Sequence, residues 1–343
     1  MSAGMSFVLC CHNSARRMQE TLGYLAAQRV PRGTPWEVVL VDNASTDGTA
    51  EVARRIWGAG PAPLRIVEEP RTGLSRARIA GARATRYEAF TLVDDDNWLA
   101  PDWLAISLDA IRSHPAVGAV GGQSTAVCES PAPAWFPSFT ESYAVGQQAD
   151  ESGDVTQTRG YLWGAGLVAR RPAWAELLQA GFRTFLEDRT GSRLRSGGDT
   201  EICHGLHLRG WRLYYESALE FRHFMPTGRL EWRYFRRLYR SFGVASIVLD
   251  TYLLALRERA EPDFTEAEYE WRLRLGRVRR VLLGSRPPLL KALVFAYEGS
   301  PGVLSMEYAR GRFTALLRMR HTLPVITTEI RRLASLPPVA AAS

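Results

Sequence analysis

With 343 residues, 46% of them hydrophobic and 10% aromatic, the chain can bury a proper core in one large domain with an appendage or in two domains, which excludes a disordered protein. The formal net charge of +7 is carried almost entirely by arginine, Lys291 being the single lysine; without an RNA or DNA motif it fits a solvated basic surface, or attraction to phosphate-bearing substrates or an anionic membrane face, and excludes nucleic acid as the expected partner. No 18-residue uncharged apolar run occurs and no basic segment leads into an apolar one in the first 15 residues, so neither a spanning helix nor a signal peptide is expected.

The first hundred residues alternate regularly. "SFVLCC" reads as a buried strand, and "SARRMQETLGYLAAQ" as a helix with Met18, Leu22 and Leu25 on one face and Ser14 as its cap. "WEVVLV" is a second strand; it enters the turn-rich "DNASTDGT" and then "AEVARRIW", a helix with Val52, Ala53, Ile56 and Trp57 on one face. "LRIVEE" is a third strand, "LSRARIAGARATR" a small-residue helix and "EAFTLV" a fourth strand. This order predicts an α/β fold with a mostly parallel sheet flanked by helices, whose strands read as continuous apolar runs because both faces are covered. Between 117 and 216, "VGAVGGQSTAV" and "YLWGAGLVAR" read as strands, "PAWAELLQAG" as a helix opened by Pro172, and "GGDTEICHGLHLRGW" as a loop and a helix ending at Gly210. From 231 the pattern is helical, with "LEWRYFRRLYRSFGVASIVLDTYLLAL" first and a capping box at Thr265 and Glu268 next. The expected division is 1–230 for the α/β domain, 231–335 for a helical C-terminal region and 336–343 for a frayed tail.

Four cysteines (Cys10, Cys11, Cys128 and Cys203) are too few and too scattered for a disulfide framework or a zinc site, so a reducing cytoplasm is the expected setting. Ligands of open parallel sheets bind outside the carboxyl ends of the strands. Asn13, Asp42 and the run Asp94, Asp95 and Asp96 each follow a predicted strand and should share one edge. The three carboxylates suit a helix cap, a general acid/base pair, or a hard divalent cation that takes oxygen ligands and keeps substrate phosphates in its shell. One helix needs one cap, which weighs toward the cation.

The sequence resembles the family 2 glycosyltransferases of the GT-A fold. "FVLCCHN", "EVVLVDNASTDGT", "EEPRTGLSRARIAG", "LVDDDNWLAPDWL" and "GGDTEICHGLHLRGW" stand in that family's block order over about residues 5 to 230. The resemblance implies a nucleotide-diphosphate sugar as donor, UDP-sugar favoured over GDP- or dTDP-sugar, with a sugar or lipid-linked acceptor. It places Asp42 on the base or ribose, Cys11 and Asn13 along the same pocket, and Arg71 and Arg78 toward base or phosphate. Asp94 and Asp96 match the Asp-x-Asp pair for Mn²⁺ or Mg²⁺, with Asp96 the direct ligand and Asp94 reaching ribose or metal. Asp95, on the alternate side, is the weaker candidate. His223 is a candidate third ligand, and Asn97 stands where the family often has another Asp. Asp199 is the expected base, with Glu201 in reserve; the family's usual Glu before the base is Gly198 here. Gly164, in "GAG", and Trp163 are expected beside the donor sugar, a backbone bend and a core position being their plainer readings.

In such a reaction the sugar carbon becomes oxocarbenium-like while charge develops on the diphosphate, which a divalent cation neutralises. Two other classes compete. A nucleotidyltransferase would need a glycine-rich phosphate loop, and "CCHNSARR" has no glycine; a silent sugar-nucleotide binder is kept open by Gly198. The arginine-rich helices "RYFRRLYRSFG" and "RLRLGRVRRVLLG" suit a packed cap with charged outer faces or a contact with the inner membrane face.

Overall fold

The structure, a computed structural model, describes residues 2–186, 188, 194–261 and 297–337. The apolar runs become strands β1 (Ser2–Cys11), β2 (Trp36–Asp42), β3 (Leu64–Glu68) and β4 (Tyr87–Asp94), all parallel in the order β3-β2-β1-β4. Helices α1 (Met18–Ala26), α2 (Thr49–Trp57) and α3 (Leu74–Ala84) make the crossovers. Successive strand residues enter opposite cores: Phe7, Leu9, Val38 and Leu40 join Leu22 of α1 and Trp57 of α2, while Val8, Val39 and Val41 join Ala77 of α3. Helix α3 lies close to the sheet because residue 81 is glycine; a Cβ there would stand 2.2 Å from Val8 Cγ1. Ser14 makes no helix cap. Its hydroxyl accepts the His12 N–H, and a 3₁₀ turn at Ala15–Arg17 precedes α1.

Beyond β4 the sheet becomes mixed. Strand β8 (Val168–Arg170) is antiparallel to both β4 and β6 (Val117–Cys128), and β9 (Arg212–Met225) runs parallel to β6. Strands β5 (Asn97–Leu99) and β7 (Gly153–Asp154) pair antiparallel with β9. Only three residues of the expected strand "YLWGAGLVAR" are extended, because Gly166 (φ +68°) turns the chain against the Trp103 ring. Helix α4 (Trp103–Ser113) and strand β9 were not expected.

Helices α5 (Arg171–Gln179) and α6 (Gly198–Leu208) cover the sheet, followed by α7 (Trp232–Ala260), α8 (Pro301–Met319) and α9 (Leu323–Ser335). The change to helices at about 230 does not interrupt the core: Ala245, Val248, Tyr252, Ile326 and Leu333 share an apolar cluster with Val8 and Val39. The expected capping box at Thr265 and Glu268, the basic run at 272–284 and most of the expected frayed tail lie outside the described residues. Among the described residues no helix is long and apolar enough to cross a membrane.

Candidate active site at the strand ends

Strand register brings the predicted residues to one edge. Cys11 stands opposite Asp42, and Cys10 opposite Asp94. The edge opens into a cavity of about 670 Å³ whose lining includes Cys11, Arg78, Asp94, Asp95, Asp96, Trp163, Gly164, Asp199 and His223. That volume suits a nucleotide-sized ligand.

Four predicted residues do not line it. Asn13, with left-handed backbone (φ 55°), accepts the Thr46 N–H on its side-chain carbonyl oxygen at 2.8 Å. Asp42 Oδ1 accepts the Ser45 N–H at 3.0 Å, and the Arg71 side chain is 70% exposed beside Glu69. Glu201, the reserve base, is a correction to the expectation. It is fully buried, its oxygens accept the Phe185 and Leu186 N–H groups at 2.9 and 3.1 Å, and the Tyr252 hydroxyl donates to it at 3.3 Å. Burial pushes its carboxyl from 4.5 up to about 8, against those backbone donors. Glu201 ties a neighbouring segment to α6 and does not face the cavity.

Each aspartate of the run meets a different arginine. Asp94 Oδ2 lies 3.5 Å from Arg78 Nη2, Asp95 Oδ2 2.6 Å from Arg17 Nη2, and Asp96 Oδ2 2.6 Å from Arg229 Nη2. The mutual repulsion of the three carboxylates is thus offset by the protein's own cations. Burial and Asp96 still raise the Asp95 carboxyl above its usual range, although Arg17 opposes this. Arg78 keeps its proton in spite of burial, because Asp94 and Asp188 face it. Asn97 shapes the turn, receiving the Asp94 N–H at 3.1 Å and donating to Asp96 Oδ1 at 3.0 Å. An Asp at 97 would put a carboxylate where that amide donor stands.

For a cation, β5 and β9 pair Asn97 with His223, which brings His223 Nε2 to 3.5 Å from Asp96 Oδ1. Among the described residues no group of three His, Cys, Asp or Glu is arranged as a metal cage. Two side chains of mixed O and N type fit a Mg²⁺ or Mn²⁺ ion that completes its shell with phosphate and water, since such ions seldom use all-protein cages. Arg229 competes there, approaching both Asp96 Oδ2 and His223 Nε2, the latter at 3.4 Å.

Asp199 stands in the first turn of α6, after Gly197 (φ +102°). Its Oδ2 accepts the Gly164 N–H at 2.9 Å and its Oδ1 the Thr200 N–H at 2.8 Å, so the carboxylate is fixed at the cavity wall. Gly164 is required for Arg78, whose Nη2 lies 2.7 Å from where a Cβ would be. Trp163 is nearly buried yet borders the cavity, and the Arg159 guanidinium lies over its ring at 5.1 Å. Arg17, Asp188, Arg229 and the α7 wall were missed; the only sequence signal for Arg229 is its place six residues after His223 in "HFMPTGR".

Strand order, mixed sheet and a carboxylate-lined cavity at the strand ends make this a GT-A fold of the glycosyltransferases. The S. aureus TarS fragment 1-349 in complex with UDP-GlcNAc has the same fold, with a TM-score of 0.53 and 16% identity over 96% of this chain and 89% of that one. The mannosyltransferase PcManGT from Pyrobaculum calidifontis, in complex with GDP-Man and Mn²⁺, gives 0.52 and 20% over 97% and 86%. The family model for glycosyl transferase family 2 matches residues 6–161, so that stretch is a family 2 domain. The glucosyl-dolichyl phosphate glucuronosyltransferase of Haloferax volcanii is 24% identical over 70% of this chain and 75% of its own length. The chain spans only 38% and 28% of the length of two other curated relatives that it matches.

Proposed function

We propose that the protein is an inverting transferase that moves a sugar from a nucleotide-diphosphate donor to an acceptor hydroxyl, with Asp199 as base and a divalent cation at Asp96. The observation that carries this reading is the meeting of Asp94, Asp96 and Asp199 in one cavity, with Asp199 held by two backbone N–H groups. The acceptor hydroxyl gives its proton to the Asp199 carboxylate as its oxygen bonds to the anomeric carbon. The bond from that carbon to the diphosphate breaks, and its electron pair leaves with the phosphate. One displacement needs no enzyme nucleophile and inverts the centre.

Arg229, beside Asp96, holds fixed positive charge near the departing phosphate. Mn²⁺ or Mg²⁺, held by Asp96 and His223, would supply Lewis-acid neutralisation of the same charge. Asp94 then reaches ribose or metal, while Cys11 and the Gly73 turn border the nucleoside, with UDP ahead of GDP or dTDP. The opposite wall comes from α7, whose Tyr234, Leu238, Phe242 and Leu249 line the cavity. That wall supports an acceptor with an apolar part, a lipid-linked sugar before a free one, and contact of the basic helical layer with an anionic membrane face would deliver it.

A thermal-shift screen of UDP, GDP and dTDP with and without MnCl₂ identifies the nucleotide. Hydrolysis or transfer of the matching sugar nucleotide should then fall about 10²- to 10⁴-fold in Asp199→Asn, with nucleotide binding intact. Full turnover in that variant rejects Asp199 as base.

A further inference from the structure

Asp188 belongs to none of the sequence blocks, yet it lines the same cavity as Asp199 and is buried. Its Oδ1 accepts the Gly198 N–H at 2.9 Å. Its Oδ2 receives the Ser75 hydroxyl at 3.3 Å and lies 3.4 Å from Arg78 Nη1. Position 198 has no room for a side chain for this reason: a Cβ there would stand 2.3 Å from Asp188 Oδ2 and 2.9 Å from Ser75 Oγ. Glu201 secures the approach, since it holds the Phe185 and Leu186 N–H groups. The first turn of α6 is therefore bonded to Phe185, Leu186 and Asp188 in both directions, by a carboxylate from each side.

Arg78 gives this arrangement a reach beyond packing. It is buried, with Asp94 on one side at 3.5 Å and Asp188 on the other at 3.4 Å. A buried guanidinium that loses one partner is left with uncompensated charge, which bears on the partner that remains. Without Asp188 the partner would be Asp94, on the donor side of the cavity. Burial pushes the Asp188 carboxyl up to about 6; Arg78 works against this and Asp199 adds to it, so all three groups lie in one field.

We propose that Asp188 is a positioning residue for transfer: it brings in from outside α6 the carboxylate that position 198 lacks, and holds α6 and Arg78 so that Asp199 faces the acceptor and Asp94 serves the donor. This rests on the function proposed above and refines it.

The test uses the full chain and hydrolysis of UDP-GlcNAc and GDP-mannose, with Asp199→Asn assayed beside it. Asp188→Asn, which keeps the shape and removes the charge, should lower kcat about 10²-fold and, because Arg78 then bears on Asp94 alone, also raise the donor KM. Asp188→Ala combined with Gly198→Glu should recover at least about tenfold over Asp188→Ala alone, because the new side chain enters the vacated space; a purely structural role would not be rescued this way. Near-parental kcat in Asp188→Asn, or no recovery in the double variant, overturns the proposal. Loss of the function reading looks different: Asp199→Asn then hydrolyses as well as the parent, or the parent hydrolyses neither donor. In that second event thermal melts decide the placement. Gly198→Glu should lower Tm by more than about 5 °C with Asp188 present and clearly less with Asp188→Ala; equal drops reject Asp188 as the occupant of that space.

Discussion

Arg229 joins the two side chains best suited to hold a cation, and that competition is measurable. Replacing it with methionine leaves Asp96 short of a buried partner, a change that costs about 3–5 kcal/mol when nothing compensates. A bound cation would compensate. Arg229→Met should therefore melt well below the parent without metal and gain more from MnCl₂ than the parent does; an equal or smaller gain would mean that the cation does not bind at Asp96. Glu201 makes a second residue-level prediction. Its carboxyl titrates near 8 when folded and near 4.5 when unfolded, so between those values the folded state holds more protons. Stability from this group is present below the unfolded value and lost as pH rises through about 8. Denaturant titrations of Glu201→Gln from pH 5 to 8 should show a flatter dependence than the parent. Asp94, Asp96 and Asp199 were legible in the sequence because each sits in a block with fixed neighbours. Asp188 and Arg17 were not, since their importance lies in which remote carboxylate or amide they meet. The reserve role for Glu201 failed because α6 turns that position inward, and the local sequence does not reveal that the facing segment offers two unpaired N–H groups.

Among the elements, the crossing of α7 and α8 is the tightest constraint on the cavity wall. A Cβ at Gly243 would stand 2.0 Å from the Tyr308 carbonyl oxygen, and one at Gly311 would stand 2.1 Å from that of Arg240. Glu307, buried in the same crossing, takes Arg236 at 2.7 Å and also pairs with Arg240. Gly243→Ala should cost about 1–3 kcal/mol, the range for overpacking, and raise the KM for acceptor more than for donor, because α7 carries that wall; chemical denaturation and two-substrate kinetics read the two effects. The parallel half of the sheet was legible because crossover helices follow strands at regular spacing. Strand β9 was not, although "RLYYESALEFRHFM" alternates exposed and buried positions over much of its length. Its charged residues interrupt the apolar run that marked the earlier strands. Helix α4 was hidden differently: attention to the aspartate block left "APDWLAISLDAIRS" without an assigned element, while Trp103, Leu104, Leu108 and Ile111 carry a helical period.

For the whole molecule, the sheet edge and the helical layer enclose one cavity and share one core, so ligand binding should stabilise both together. A saturating nucleotide diphosphate with Mn²⁺, at 100 times its dissociation constant, adds about 2.7 kcal/mol and should move a single melting transition; two transitions, only one of them ligand-sensitive, would show that the layers melt apart. The outer helices expose Leu253, Leu317 and Val325 on a chain of net charge +7. Flotation with vesicles rich in phosphatidylglycerol should recover the protein at low salt and release it at high salt; no difference from neutral vesicles counts against a membrane role. The two faces of the cavity also have separate genetic addresses. Strand ends before residue 230 carry the carboxylates of the cavity, while α7 forms the far side. Recombination behind a fixed nucleotide pocket could then create new products: a chimera with its last hundred residues from a relative should keep its sugar donor and adopt the relative's acceptor, provided that the graft carries small residues where the two long helices cross.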